Sequence, residues 1–110
     1  MDNLLEHYQK LVHQVVTDYA QYKPSRGEIE LQVFSGHDSV LLISFGWQGN
    51  RRVHSVILHL RIANEKIWIE RDETEEGVTQ DLLDLGVPTE DIVLAFYHLE
   101  DRKLTDFAVA

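Results

Sequence analysis

The apolar residues change their period once, and that change constrains the fold more than any other feature of the chain. Leu4, Leu5, Tyr8, Leu11, Val12, Val15, Val16, Tyr19 and Tyr22 recur at steps of three and four, which predicts an amphipathic helix over residues 3–22. Asp2 or Asn3 can cap its start, and Lys23-Pro24 ends it because proline restricts the residue before it and has no amide hydrogen to donate. Ser25-Arg26-Gly27 then turns the chain. From Glu28 onward the period is two: Ile29, Leu31 and Val33 alternate with Glu28, Glu30 and Gln32, as in a strand with one buried face. A helix followed by sheet, with one face of each to bury, predicts an α+β fold in which the helix lies across an antiparallel meander.

Turn signals set the expected register. Gly49-Asn50 separates strands over 40–48 and 51–62 and suits the positive φ angles of a tight hairpin. That turn places Phe45 opposite His54, Ile43 opposite Val56 and Leu41 opposite Leu58. A second hairpin at Asn64-Glu65 sets Ile62 against Ile67, Leu60 against Ile69, Arg61 against Trp68 and His59 against Glu70. An odd loop over residues 35–39 brings Ile29, Leu31 and Val33 onto the same apolar face. The expectation is four strands, or more, with the helix on that face. The other face then carries Phe34, Val40, Leu42, Ile57 and Trp68, too apolar to face water. It calls for cover from the C-terminal third, a second subunit or a partner.

Beyond the sheet, Thr74 or Thr79 can cap a short helix bearing Val78, Leu82, Leu83 and Leu85, closed by Gly86 and stopped by Pro88. Thr89-Glu90-Asp91 is a further start signal, with Ile92, Val93, Leu94 and Phe96 as a buried continuation. The apolar ending Phe107-Ala108-Val109-Ala110 is expected to be docked, since free termini are usually polar. The 110 residues make one domain, 1–110, which buries about two thirds of its unfolded surface.

Composition excludes several functions. The chain has no cysteine, so thiolate catalysis, iron–sulfur clusters and Cys-based zinc sites fall away. Nineteen acids against ten Lys and Arg give a formal charge of −9, which disfavours strong direct DNA binding, a process driven by cations that displace phosphate counterions. No apolar run is long enough to span a bilayer, and the N-terminus, with Asp2 and Glu6, lacks the pattern of a signal peptide. A soluble cytoplasmic protein without cofactor is expected.

Candidate sites are few. Asp72, Glu73, Glu75 and Glu76 follow the last strand directly. Acids at the first turn of a helix answer its unpaired amides and dipole without any ligand. The alternative is a metal-assisted hydrolase or nuclease using this cluster. Against a calcium loop, Gly77 falls sixth from Asp72, but the twelfth position is Leu83 and not the closing glutamate. His7 and His13 are six apart, whereas helical zinc pairs lie four apart; His37, His54, His59 and His98 are read as structural or surface residues. None of Ser25, Ser35, Ser39, Ser44 and Ser55 sits in a Gly-x-Ser-x-Gly elbow, and no phosphate loop is present. Trp47 beside Arg51 and Arg52 is the one cluster suited to stacking, and it equally serves as a solvated hairpin tip. Trp47, Arg51, Arg52, Ile57 and Trp68 are the candidate partner-binding residues.

The order of these words resembles one family. Gly46-Trp47, Arg51-Arg52-Val53, His59, Lys66-Ile67-Trp68-Ile69, Asp72-x-Thr74-Glu75-x-Gly77, the run from Leu85-Gly86-Val87-Pro88 to Ile92-Val93-Leu94, and the terminal Phe107-Ala108-Val109-Ala110 are together similar to the XisI-like family, the cyanobacterial fdxN-element excision controlling factors. The resemblance spans nearly the whole chain. It implies a small accessory protein for programmed site-specific excision of a DNA element, working beside a recombinase and a companion, XisH, that itself resembles restriction-type nucleases. It carries no catalytic residues onto this sequence. A related role, restraining a partner nuclease, is the other reading. Relatives tend to have His-Pro-Pro after the phenylalanine corresponding to Phe96, where this chain has Tyr97-His98-Leu99. The departure bears on the conformation of the 97–102 loop.

Overall fold

The computed structural model describes residues 3–22 and 28–110. Asp2 and the Asn3 side chain, to which the cap is assigned, the stop at Lys23-Pro24 and the turn at Ser25-Arg26-Gly27 lie outside the described residues. Helix α1, Asn3–Tyr22, is followed by strands β1 (Glu28–Ser35), β2 (Ser39–Gln48), β3 (Arg51–Ala63) and β4 (Lys66–Asp72), then by α2 (Val78–Asp84), one 3₁₀ turn (Thr89–Asp91), β5 (Ile92–Leu94) and α3 (Leu99–Arg102). The strands form one sheet in the order β1-β2-β3-β4-β5. The first four make the expected antiparallel meander, while β5 runs parallel to β4, so the sheet has five strands and is mixed. The run Ile92-Val93-Leu94 is buried throughout. Continuous burial is the pattern of a parallel strand covered on both faces, and it explains why alternation does not reveal β5.

Tyr8, Leu11, Val12, Val15 and Val16 of α1 are buried against Val40, Leu42, Leu58, Leu60, Ile62, Ile67 and Ile69. Each fully buried aliphatic side chain contributes about 1.5–3 kcal/mol of transfer free energy, so this one contact accounts for much of the fold's driving force. Leu82 and Val78 of α2 and Val87 close the same core. Gly86, at φ +95°, ends α2: its amide donates to the Leu83 carbonyl and that of Val87 to the Leu82 carbonyl, the left-handed cap expected there. The terminal segment is docked, with Ala108 bridging Val93 and its amide donating to the Ile92 carbonyl at 2.9 Å.

The register departs from expectation in three places. Phe45 does face His54 and Ile43 does face Val56, but Leu58 pairs with Leu42, not Leu41, because Ile57 is an extra residue opposite the Leu42–Ile43 step. This bulge lets β3 change faces midway: His54 and Val56 share a side with Phe45 and Ile43, and Leu58 and Leu60 turn to the core. The loop between paired Ser35 and Val40 has four residues, an even number, so Leu31 and Val33 match Ser44 and Leu42. A second bulge at Glu70 pairs His59 with Arg71 instead of Glu70. The core therefore takes Val40 and Leu42, and the face away from α1 takes Leu41, Ile43 and Phe45. At the turns, both Asn64 and Glu65 have positive φ, whereas of Gly49-Asn50 only the glycine does.

Tyr8, 3% exposed, donates from its hydroxyl to Asp91 Oδ2 at 2.5 Å and ties α1 to the 3₁₀ turn. Burial, and then the neighbouring Asp91 carboxylate, push its phenol above the ordinary value of 10.0. A raised folded value means the contribution is whole below that ordinary value and fades as pH climbs through the folded one. Tyr8→Phe is expected to cost about 1.5–3 kcal/mol at neutral pH, the range for a hydrogen bond to a charged group. Urea denaturation should show the gap between the two proteins narrowing in strongly alkaline buffer.

Candidate functional site

The face of the sheet opposite α1 follows from the two bulges. Direct strand partners share a side, so Phe34, Leu41, Ile43, Phe45, Trp47, Val56, Arg61 and Trp68 stand together there. Phe34 at one end is 47% exposed and Trp47 at the other 46%. That is large for aromatic side chains of a folded domain, and the expectation of an apolar second face holds although three of its five expected members, Val40, Leu42 and Ile57, lie elsewhere. Val40 and Leu42 belong to the core, and Ile57, at the bulge, packs against the core cluster.

Cations border this apolar surface. The Arg52 guanidinium lies 5.5 Å from the Trp47 ring and bonds the Gly46 carbonyl at 3.4 Å, while Arg51 donates to Gln48 Oε1. Trp68 has two guanidiniums over its ring, Arg61 at 5.2 Å and Arg102 at 5.7 Å, and its indole N–H donates to the Ala63 carbonyl. Arg61 also pairs with Glu70 at 2.7 Å, across the bulge that the simple register missed. Stacking of this kind is worth about 0.5–2 kcal/mol, and it holds the rings at fixed angles. Arg102 further donates to the carbonyls of Tyr97, Ala95 and Val109, so α3 and the chain end are fastened beside Trp68. The 97–102 stretch is ordered by that arginine and by His98, whose Nδ1 accepts from the Glu100 amide to cap α3.

The acidic run after β4 has a structural explanation. Asp72 Oδ1 accepts from the amide and hydroxyl of Thr74, and its Oδ2 from the amide of Val78 at 2.7 Å. The Gly77 amide donates to the Thr74 hydroxyl. Asp72, from the end of β4, caps α2, with Thr74 assisting. Nearby, Asp18, Tyr19, Glu75, Glu76 and Asp81 line a small cleft of about 250 Å³. Burial and then Asp72, Glu75 and Glu76 raise the Tyr19 phenol; burial and then Asp84, Glu76 and Asp72 raise the Asp81 carboxyl. The local potential is negative. Among the described residues no three His, Asp or Glu side chains converge on a metal-sized site.

A larger cleft of about 550 Å³ separates α1 from the β1–β2 loop. His13 Nδ1 lies 2.9 Å from Ser35 Oγ, and Gln9 donates to the His37 carbonyl. These contacts join residues 22 and 28 positions apart, which no local pattern reveals. Both bonds are exposed and anchor the loop to the helix. Among the described residues, no helix is long and apolar enough to cross a membrane.

Comparison with known proteins agrees with the geometry. A family model described as XisI protein matches residues 1–109. The crystal structure of a XisI-like protein from Anabaena variabilis ATCC 29413 superposes with a TM-score of 0.90 at 33% identity, covering 96% of this chain and 99% of that one. That of the fdxN element excision controlling factor XisI from the same organism gives 0.86 at 34% identity, covering 98% and 100%. No curated protein matches.

Proposed function

Because the chain belongs to the XisI family, we propose that it is a non-catalytic controlling factor for programmed excision of a DNA element, acting in the cytoplasm by binding a protein companion of the XisH type. The observation that supports this most is the open sheet face: apolar along its centre, with Trp47 and Arg52 at the hairpin tip and Trp68 between Arg61 and Arg102 at the other side. Aromatic and arginine side chains are those that dominate the energetics of protein interfaces. The Anabaena variabilis relative, an fdxN element excision controlling factor, supplies the process. The capping of α2 by Asp72 supports a structural role for the acidic run. Self-association is compatible with this reading, since among the described residues β1 has a strand neighbour on one side alone.

The test is co-expression with an XisH-type protein encoded beside it. The two should co-purify, and Trp47→Ala should weaken the complex about 30-fold or more, as for a buried aromatic hot spot. Separate elution of the two wild-type proteins at micromolar concentration would remove the proposal.

A further inference from the structure

The two edges of the sheet are treated differently. At one edge β5 has three residues and is bridged by Ala108. At the other, β1 has eight residues, pairs with β2 without a register shift, and contains neither proline nor lysine. Among the described residues β2 is its only strand neighbour. Natural edge strands are usually kept short, bulged, charged with lysine or covered, because a long regular edge pairs with another strand.

We infer that β1 pairs antiparallel with β1 of a second copy, with Leu31 on the two-fold axis, so that two five-stranded sheets become one of ten. Only an even register keeps α1 of both copies on the same side, since direct partners share a face. Centring on Glu30 sets two carboxylates opposite each other. Centring on Gln32 sets Ile29 against Ser35. Centring on Leu31 instead puts Ile29 opposite the partner's Val33 on the core side, and Glu30 opposite the partner's Gln32 and Glu28 opposite the partner's Phe34 on the open side. No like charges meet, and on the core side apolar faces apolar. Helix α1 packs on β1, β2 and β3, so its axis runs above β2. Across the axis the two β2 strands lie three spacings apart, about 14 Å, which leaves room for helices about 10–12 Å wide. The dimer is closed, because pairing consumes the long edge of each copy and leaves only the bridged β5 edges outside.

Sedimentation equilibrium of the full chain decides the matter. The expected species has twice the chain mass. Gln32→Glu, on an exposed side chain, creates two like-charge pairs by symmetry and should weaken the dimer about 2- to 30-fold. Adding Glu30→Lys to it converts both pairs to attractive ones and should restore the dimer. A monomer at every concentration overturns the inference and leaves the edge to a strand of another protein. A dimer indifferent to Gln32→Glu overturns it by placing the contact elsewhere, and failure of the double variant to restore association overturns the Leu31-centred register. Retention of XisH-type binding by a monomeric variant would separate this result from the companion-binding reading.

Discussion

Gly46→Ala is expected to be the most damaging single-atom change in the sheet, lowering stability by about 3–5 kcal/mol, the sum of a forbidden backbone conformation and an overpacked contact. Gly46 has φ +139°, and a Cβ built there lies 1.8 Å from the Glu28 carbonyl oxygen and 3.1 Å from the Ile29 Cα. Both neighbours are backbone, so no side chain can swing aside. Pairing of Gly46 with Ile29 brings β1 against β2 at this point, and the methyl group can be placed only by prising the two strands apart. For a domain whose net stability is about 5–15 kcal/mol, that is a large share. Gly49→Ala is the control: at φ +66° it is conformationally strained, but nothing lies within 4 Å of its Cβ, so its cost is confined to about 1–2 kcal/mol. Urea denaturation of the three proteins tests this. Equal stability of Gly46→Ala and wild type would mean that β1 does not approach β2 as described.

The same glycine shows how far periodicity alone can take a reading of this chain. Helix α1 and the two hairpins are local: their apolar spacing and turn residues lie within a few positions, and the structure follows them. Which side of β2 is buried is not local. It depends on one extra residue, Ile57, and on a four-residue loop instead of an odd one, and each such step reverses the facing of a whole strand. Leu41 and Leu42 are chemically identical, so composition could not choose between them. The open face was nevertheless foreseeable as apolar, because β2 carries large apolar residues at almost every position and either assignment leaves some outside. Its ionic trim was only partly foreseeable. Arg61 over Trp68 follows from the hairpin register, but Arg102 reaches the same ring from 34 positions away, through a C-terminal path that no pattern announces. Strand β5 was hidden for a different reason, since three buried residues after a helix-start signal look like a helix until a parallel neighbour is known.

Asp72→Ala carries the other large effect, and it separates two meanings of the acidic run. If Asp72 is a cap, its removal strips charge-assisted partners from the amides of Thr74 and Val78 and from the Thr74 hydroxyl, at a cost of about 2–4 kcal/mol. Asp72→Asn keeps one acceptor oxygen and is expected to fall between the two. Hydrogen exchange should quicken at Thr74 and Val78, where the hydrogen bonds are lost, while the core strands slow or quicken only with global stability. Magnesium, manganese and calcium should leave the wild-type melting temperature unchanged, because a ligand stabilises only by binding the folded state, and both carboxylate oxygens of Asp72 already face backbone or hydroxyl donors. A metal-assisted hydrolase predicts the reverse pattern. Cations would raise the wild-type melting temperature, Asp72→Ala would abolish that rise, and in cation-free buffer the variant would be close to wild type or more stable, since it lacks one of several mutually repelling carboxylates. The two readings therefore predict different stability changes in cation-free buffer, a clear loss against none or a gain, where stability measured by urea denaturation needs no knowledge of the substrate.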